Sequence, residues 1–128
     1  MGAEKNFENQ IKGFLKKEGC WFIKYWGGGE FTKAGIPDIL VCCKGVFIGL
    51  EVKAPRGIPS ALQIRSLKHI HDAGGVSVLL YPEDFHMFEL LVNHIQSGNH
   101  SGLIKVSDYF MDQVNTWWTK YKLEGLIT

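Results

Sequence analysis

Asp38, Glu51 and Lys53 are the residues of this chain whose types and spacing point to chemistry. They sit in GIPDILVCCKGVFIGLEVKAP, residues 35–55, at the outer ends of two hydrophobic runs. With Lys44-Gly45 as a two-residue turn, its glycine free to take positive φ, Cys43 faces Val46 and, five pairs further on, Asp38 faces Glu51. Directly opposed side chains have Cβ atoms roughly 4.5–5.5 Å apart, and two like charges at that distance destabilise a sheet unless something positive lies between them. A hard divalent cation meets that need, because Mg²⁺ takes oxygen ligands, keeps several waters and suits one or two carboxylates plus a substrate phosphate. In such a place it polarises a phosphodiester and activates a water. Lys53 shares a strand face with Glu51. It is placed to orient or deprotonate that water, or to stabilise the charge that gathers at phosphorus. The competing reading is an ordinary ion-pair cluster at the end of a surface hairpin.

The elements that must position these residues follow from periodicity, in the order helix, strand, hairpin, helix, strand, helix, helix. Residues 6–18 place Phe7, Ile11, Phe14 and Leu15 at helical spacing, with Gly19 as a stop. CWFIKYW, residues 20–26, is aromatic and β-branched and reads as a strand. GGGEFTKAG, residues 27–35, is a loop; it lacks the GxxxxGK[ST] pattern, so no nucleotide cofactor is expected. Residues 38–43 and 46–53 are the hairpin strands. Val46, Ile48, Leu50 and Val52 form its core face, and Phe47, Gly49, Glu51 and Lys53 the other. Ser60 starts a helix through about Asp72, and Ser60-Ala61-Leu62-Gln63 reads as a capping box. Residues 76–81 form a strand, and Pro82 with Glu83 and Asp84 opens a helix to about Gln96. Residues 97–102 read as a loop, and Ser107 caps a last helix with Phe110, Val114, Trp117 and Tyr121 on one face. Trp117 and Trp118 suit a core or a dimer contact better than a base-stacking platform.

A chain of 128 residues suits one domain. No apolar run approaches the roughly 20 residues that span a bilayer, and MGAEKNFENQ has no signal-peptide apolar region. Three cysteines without metal-ligand spacing fit a reducing cytoplasm. His69 and His71 diverge on a helix, and His86, His94 and His100 lack partners in sequence, which argues against zinc. The net charge of +1 hides an asymmetry: residues 1–68 carry 11 Lys+Arg against 6 Asp+Glu, and residues 69–128 carry 3 against 7. A basic half suggests an anionic partner, and a chance distribution over a solvated surface is the alternative.

Pro37-Asp38 followed by Glu51-Val52-Lys53 resembles the PD-(D/E)xK signature of the restriction-endonuclease-like nucleases. GIPDIL, GLEVKAPRG and SALQ together resemble the VRR-NUC family over residues 8 to about 81. The resemblance implies an α/β fold, a restriction-endonuclease-like mixed β-sheet flanked by helices. It is expected as a single domain with its core at about 6–81 and a helical extension at about 82–128. It implies a Mg²⁺- or Mn²⁺-dependent endonuclease. By position Asp38 and Glu51 would be the metal carboxylates, the Val52 carbonyl a further ligand and Lys53 the catalytic lysine. Glu8 falls where such nucleases carry a first-helix glutamate of the catalytic metal site, with a spacing to Leu15 and Gly19 similar to that in archaeal Holliday-junction resolvases, and would join the metal ligands; Glu4 competes for that role. Gln63 would orient a water or phosphate alongside its capping role. Lys24, Lys33 and Arg56 flank the site in sequence and are candidates for phosphate contacts with DNA. The expected activity is structure-selective cleavage of branched, Holliday-junction-like DNA by a homodimer with two active sites, in the cytoplasm (of the host, if phage-encoded). The interface would come from residues 20–26 or from the Trp117-Trp118 helix. A sequence-preferring restriction or nicking nuclease is one alternative, and an inactive DNA-binding protein on a nuclease fold is another.

Overall fold

The structure, a computed structural model, describes residues 2–26 and 34–128. Its elements are α1 (Gly2–Lys17), β1 (Trp21–Lys24), β2 (Ile39–Cys43), β3 (Val46–Val52), α2 (Ala61–Asp72), β4 (Val76–Leu80), α3 (Phe85–Ser97) and α4 (His100–Leu123), with a 3-10 turn at Pro82–Asp84. The strands form one mixed sheet in the order β1-β2-β3-β4. β1, β2 and β3 run antiparallel in succession, and β4 lies parallel to β3. That last pairing needs a crossover, which α2 provides. The α/β architecture with a mixed, helix-flanked sheet matches the restriction-endonuclease-like expectation.

One face of the sheet is covered by α1 and α3, and the other is covered by α2 and α4 around β3 and β4, because alternate strand residues feed two cores. Ile39 and Val41, Ile48 and Leu50, and Val78 and Leu80 are all fully buried on one face. They pack against Phe7, Ile11 and Leu15 of α1 and Phe88, Leu91 and Val92 of α3. On the other face Leu79 joins Ile64 and Leu67 of α2 and Met111, Val114 and Tyr121 of α4. Strand register places Glu51 directly beside Leu79, so a carboxylate lies at the rim of this second core.

Three element boundaries differ from the sequence expectation. α1 starts at Gly2 rather than near residue 6, because Ala3, Glu4 and Lys5 are good helix formers that carry no apolar period. β1 stops at Lys24, although the Tyr25 amide still donates to the Asp38 carbonyl at 2.8 Å. Residues 97–102 are not a loop and Ser107 is not a cap. α3 ends on Gly98 at φ 72°, and Asn99 caps α4 by accepting from the Gly102 amide at 3.0 Å. One left-handed glycine followed by an Asn cap turns the chain between two helices without a longer connection.

Candidate active site

The hairpin carries the site. Lys44 and Gly45 both have positive φ, 50° and 82°, which is the two-residue turn whose twist matches the flanking strands. Cys43 faces Val46 and Ile39 faces Leu50, so the expected register is the observed one. Asp38 lies one residue beyond that last pair. Its carboxylate completes the ladder in place of backbone, with Oδ2 accepting from the Val52 amide at 2.8 Å. Asp38 is thereby tied to the residue that follows Glu51. Gly35, just upstream, has φ +82°, and a Cβ there would lie 2.7 Å from the Leu62 carbonyl oxygen. Only glycine lets the Pro37-Asp38 segment lie this close to the start of α2.

Glu51 is 1% exposed. Its Oε2 is 3.5 Å from Lys53 Nζ, and its Oε1 is buried with no hydrogen-bond partner. Burial, then the Asp38 charge, push the Glu51 carboxyl up to about 8, with Lys53 opposing them. On the ladder Lys24 pairs with Ile39, so it projects to the face that α1 covers. Its ammonium lies 2.6 Å from Glu8 Oε1 and 3.7 Å from Asp38 Oδ1. Lys12, one turn along α1, holds Glu8 Oε2 at 3.3 Å. Burial alone would raise the Glu8 carboxyl, but the hydrogen bonds and charges of Lys24 and Lys12 outweigh it and hold the carboxyl below its usual value. Burial likewise opposes the Lys24 charge, and the carboxylates of Glu8, Asp38 and Glu51 overcome it and raise the lysine.

Asp38, Glu51, Lys53, Lys24 and Glu8 therefore come together at one end of the sheet. Glu4 stands exposed on α1, one turn before the buried Glu8. Gln63 makes the expected capping box: its Oε1 accepts from the Ser60 amide at 2.8 Å, and its own amide donates to Ser60 Oγ at 3.1 Å. Arg56 is exposed in a left-handed conformation, φ 65°. Lys33 and most of the glycine loop lie outside the described residues. The lysine partners of Glu8 were not anticipated, although Glu8 and Lys12 stand at ion-pair spacing in the sequence. Tyr81 was also missed; its hydroxyl donates to the Gly57 carbonyl at 2.7 Å, a contact without a sequence signal.

The donor set fits a hard divalent cation. A buried carboxylate oxygen without a partner, beside a second carboxylate, is an arrangement that costs free energy until a cation or proton joins it. Among the described residues no three His, Cys, Asp or Glu side chains cluster as a ligand set. Two carboxylates completed by backbone oxygen and water are a donor set of the kind that Mg²⁺ or Mn²⁺ accepts.

Comparison with known proteins gives one family. The sequence profile described as archaeal Holliday junction resolvase (hjc) matches residues 2–81, the stretch from α1 through β4 that holds every residue of this cluster. No curated protein and no solved structure matches the chain. With well over half of its length matched, the chain belongs to the archaeal Holliday junction resolvase family.

Proposed function

We propose that this protein is a divalent-metal-dependent endonuclease that cuts branched DNA, four-way junctions above all, and acts as a homodimer. The observation that carries the reading is Glu51, a buried carboxylate with an unpartnered oxygen, set beside Asp38 and Lys53. Family membership supplies the nuclease class and the junction substrate.

In this reading Asp38 and Glu51, with the Val52 carbonyl, hold the ion. When bound, that ion neutralises the paired carboxylates, activates a water and polarises the phosphodiester. Asp38 is fixed for this task by its bond to the Val52 amide. Lys53 is 14% exposed at its side chain; its ammonium faces the scissile phosphate, orients the attacking water and stabilises charge in the transition state. Glu8 acts through Lys24, which it holds against Asp38. Gln63 keeps α2 capped beside the site and leaves its amide nitrogen to orient a water or phosphate. Arg56 and Lys33 contact the DNA backbone.

Edge strand β1 favours the dimer. Trp21 is 62% and Ile23 43% exposed on its outer face, and the cross-strand row Trp21, Cys42, Phe47 extends that apolar strip across the sheet. An exposed apolar edge of this kind is managed in soluble proteins by pairing or covering it. Trp117 and Trp118 are partly buried against the second core, which makes them the weaker choice.

Cleavage of labelled linear duplex, single strand, flap and four-way junction in Mg²⁺ or Mn²⁺, with Glu51→Gln in parallel, tests the reading. Metal-dependent cutting that prefers the junction and vanishes in the variant is the expected result. Equal cutting by the variant would overturn the site.

A further inference from the structure

Beyond the region shared with the resolvase family, the chain builds a second concavity beside the nuclease site. The Lys53 amide donates to the Leu80 carbonyl, so Tyr81, the next residue, leaves the sheet beside Lys53. The Tyr81 hydroxyl then holds the carbonyl of Gly57, a residue that lies against the Lys53 side chain. Tyr81 also forms one wall of a pocket of about 340 Å³ whose other walls come from the Pro82–Asp84 turn and from α4, a size within the small-molecule range.

The lining has a definite chemistry. Tyr81, Tyr109 and Trp117 supply aromatic surface, and Glu83, Asp84 and Gln113 supply acceptors. Asp84 is 7% exposed; its Oδ1 accepts from the Tyr109 hydroxyl at 2.7 Å and its Oδ2 from Gln113 Nε2 at 3.2 Å. That bond fixes the Gln113 amide with its oxygen turned from the carboxylate, and this Oε1 is buried with no partner. No Lys or Arg is among the lining residues described. A phosphate is therefore repelled, while a flat group that stacks on aromatics and offers N–H donors is accepted.

We propose that this pocket receives an unstacked, amino-bearing nucleobase (adenine, cytosine or guanine) from the DNA strand at the neighbouring site. The proposal rests on the nuclease reading for its substrate. Branched DNA supplies unpaired or easily unpaired bases near the cut, and a base that leaves the stack is read by hydrogen bonds to its edge and by stacking. Thymine has no exocyclic amine to give to Asp84, Glu83 or Gln113.

The test titrates the full-length protein with deoxyadenosine, deoxycytidine, deoxyguanosine and thymidine, followed by NMR at the Trp117 indole and the Asp84 amide. The amino-bearing nucleosides should shift both signals at concentrations about tenfold below thymidine, and Tyr109→Ala and Asp84→Asn should each raise the half-shift concentration about tenfold. Tyr109 is 39% exposed, so its truncation leaves the core intact even if the Asp84 change disturbs α3. A second arm places 2-aminopurine at successive positions around a four-way junction bound to Glu51→Gln protein. One position should brighten or quench on binding, and Tyr109→Ala should abolish that change. Equal response to thymidine, no response to any nucleoside, or a response only to acetyl-arginine methyl ester overturns the proposal, the last by making the pocket a seat for a basic protein side chain. Junction cleavage without a nucleoside response sinks the pocket and leaves the nuclease. A nucleoside response without cleavage of any DNA sinks the nuclease reading and keeps a base-binding pocket.

Discussion

Replacing Glu51 by Gln should stabilise the metal-free protein in alkali and change it little in acid. The Glu51 carboxyl rises from 4.5 to about 8 in the fold, first through burial and then through the Asp38 charge. Between those pH values the folded protein keeps a proton that the unfolded chain has released. The stabilisation is therefore full below about 4.5 and is lost as pH rises through about 8. The whole gap corresponds to about 5 kcal/mol. Movement of the Lys24 and Lys53 ammonium groups toward the new charge recovers part of it, leaving about 2–3 kcal/mol between pH 5 and pH 9. Gln keeps the shape without the charge, so its curve lacks this component. At pH 9 in EDTA the variant should exceed wild type by that amount, roughly 5–12 °C in Tm. Urea unfolding followed by circular dichroism at pH 5, 7 and 9 measures it, and the difference between the two proteins cancels the groups they share. Added Mg²⁺ should then restore wild type at pH 9 by about 2.7 kcal/mol when its concentration is a hundred times Kd, and do little for the variant. Parallel pH profiles for the two proteins would refute the assignment of Glu51 as the buried titrating group.

Four further outcomes are expected. Lys53→Met should slow junction cleavage about 10²-fold or more while metal binding, read by calorimetry, persists. Lys24→Met removes the nearer of the two lysines that hold buried Glu8 and should cost about 1–3 kcal/mol at pH 7. Because Glu8 is held below its usual value, that loss should shrink as pH falls and the carboxyl takes up its proton, and a pH-independent loss would refute the pairing. Gly35→Ala forces a Cβ to within 2.7 Å of the Leu62 carbonyl oxygen at positive φ and should cost about 2–4 kcal/mol in urea unfolding. Ser60→Ala should cost about 1 kcal/mol through the lost cap; if Gln63→Ala then lowers cleavage well beyond Ser60→Ala at matched stability, Gln63 serves the site as well as the helix.

How much of this was legible in the sequence depends on how local the determining physics is. The hairpin was readable because Lys44-Gly45 admits a turn with two left-handed residues, and a period of two then carries the register outward to Asp38 without further information. The Gln63 cap was readable for the same reason, since its partners lie three residues apart. Asn99 was hidden although its cap bond to the Gly102 amide is equally local, because a one-glycine junction between helices has the composition of a loop. Lys24 shows the opposite limit. Its sequence neighbours are aromatic strand residues, and nothing local says that its ammonium meets Glu8, 16 positions away, and Asp38 from the next strand. That meeting is decided by α1 packing across the sheet and by β1 pairing with β2, two long-range events that place their residues at the same point. The charge pattern there has a consequence for the metal-free state. Lys24 lies within ion-pair distance of Asp38 and Glu8, whereas Glu51 has Lys53 at 3.5 Å and one oxygen without a hydrogen-bond partner. Electrostatic strain in the cluster is thus concentrated on the single carboxylate that an incoming ion would relieve most, because the half-buried Lys24 makes its close ion pairs with Glu8 and Asp38.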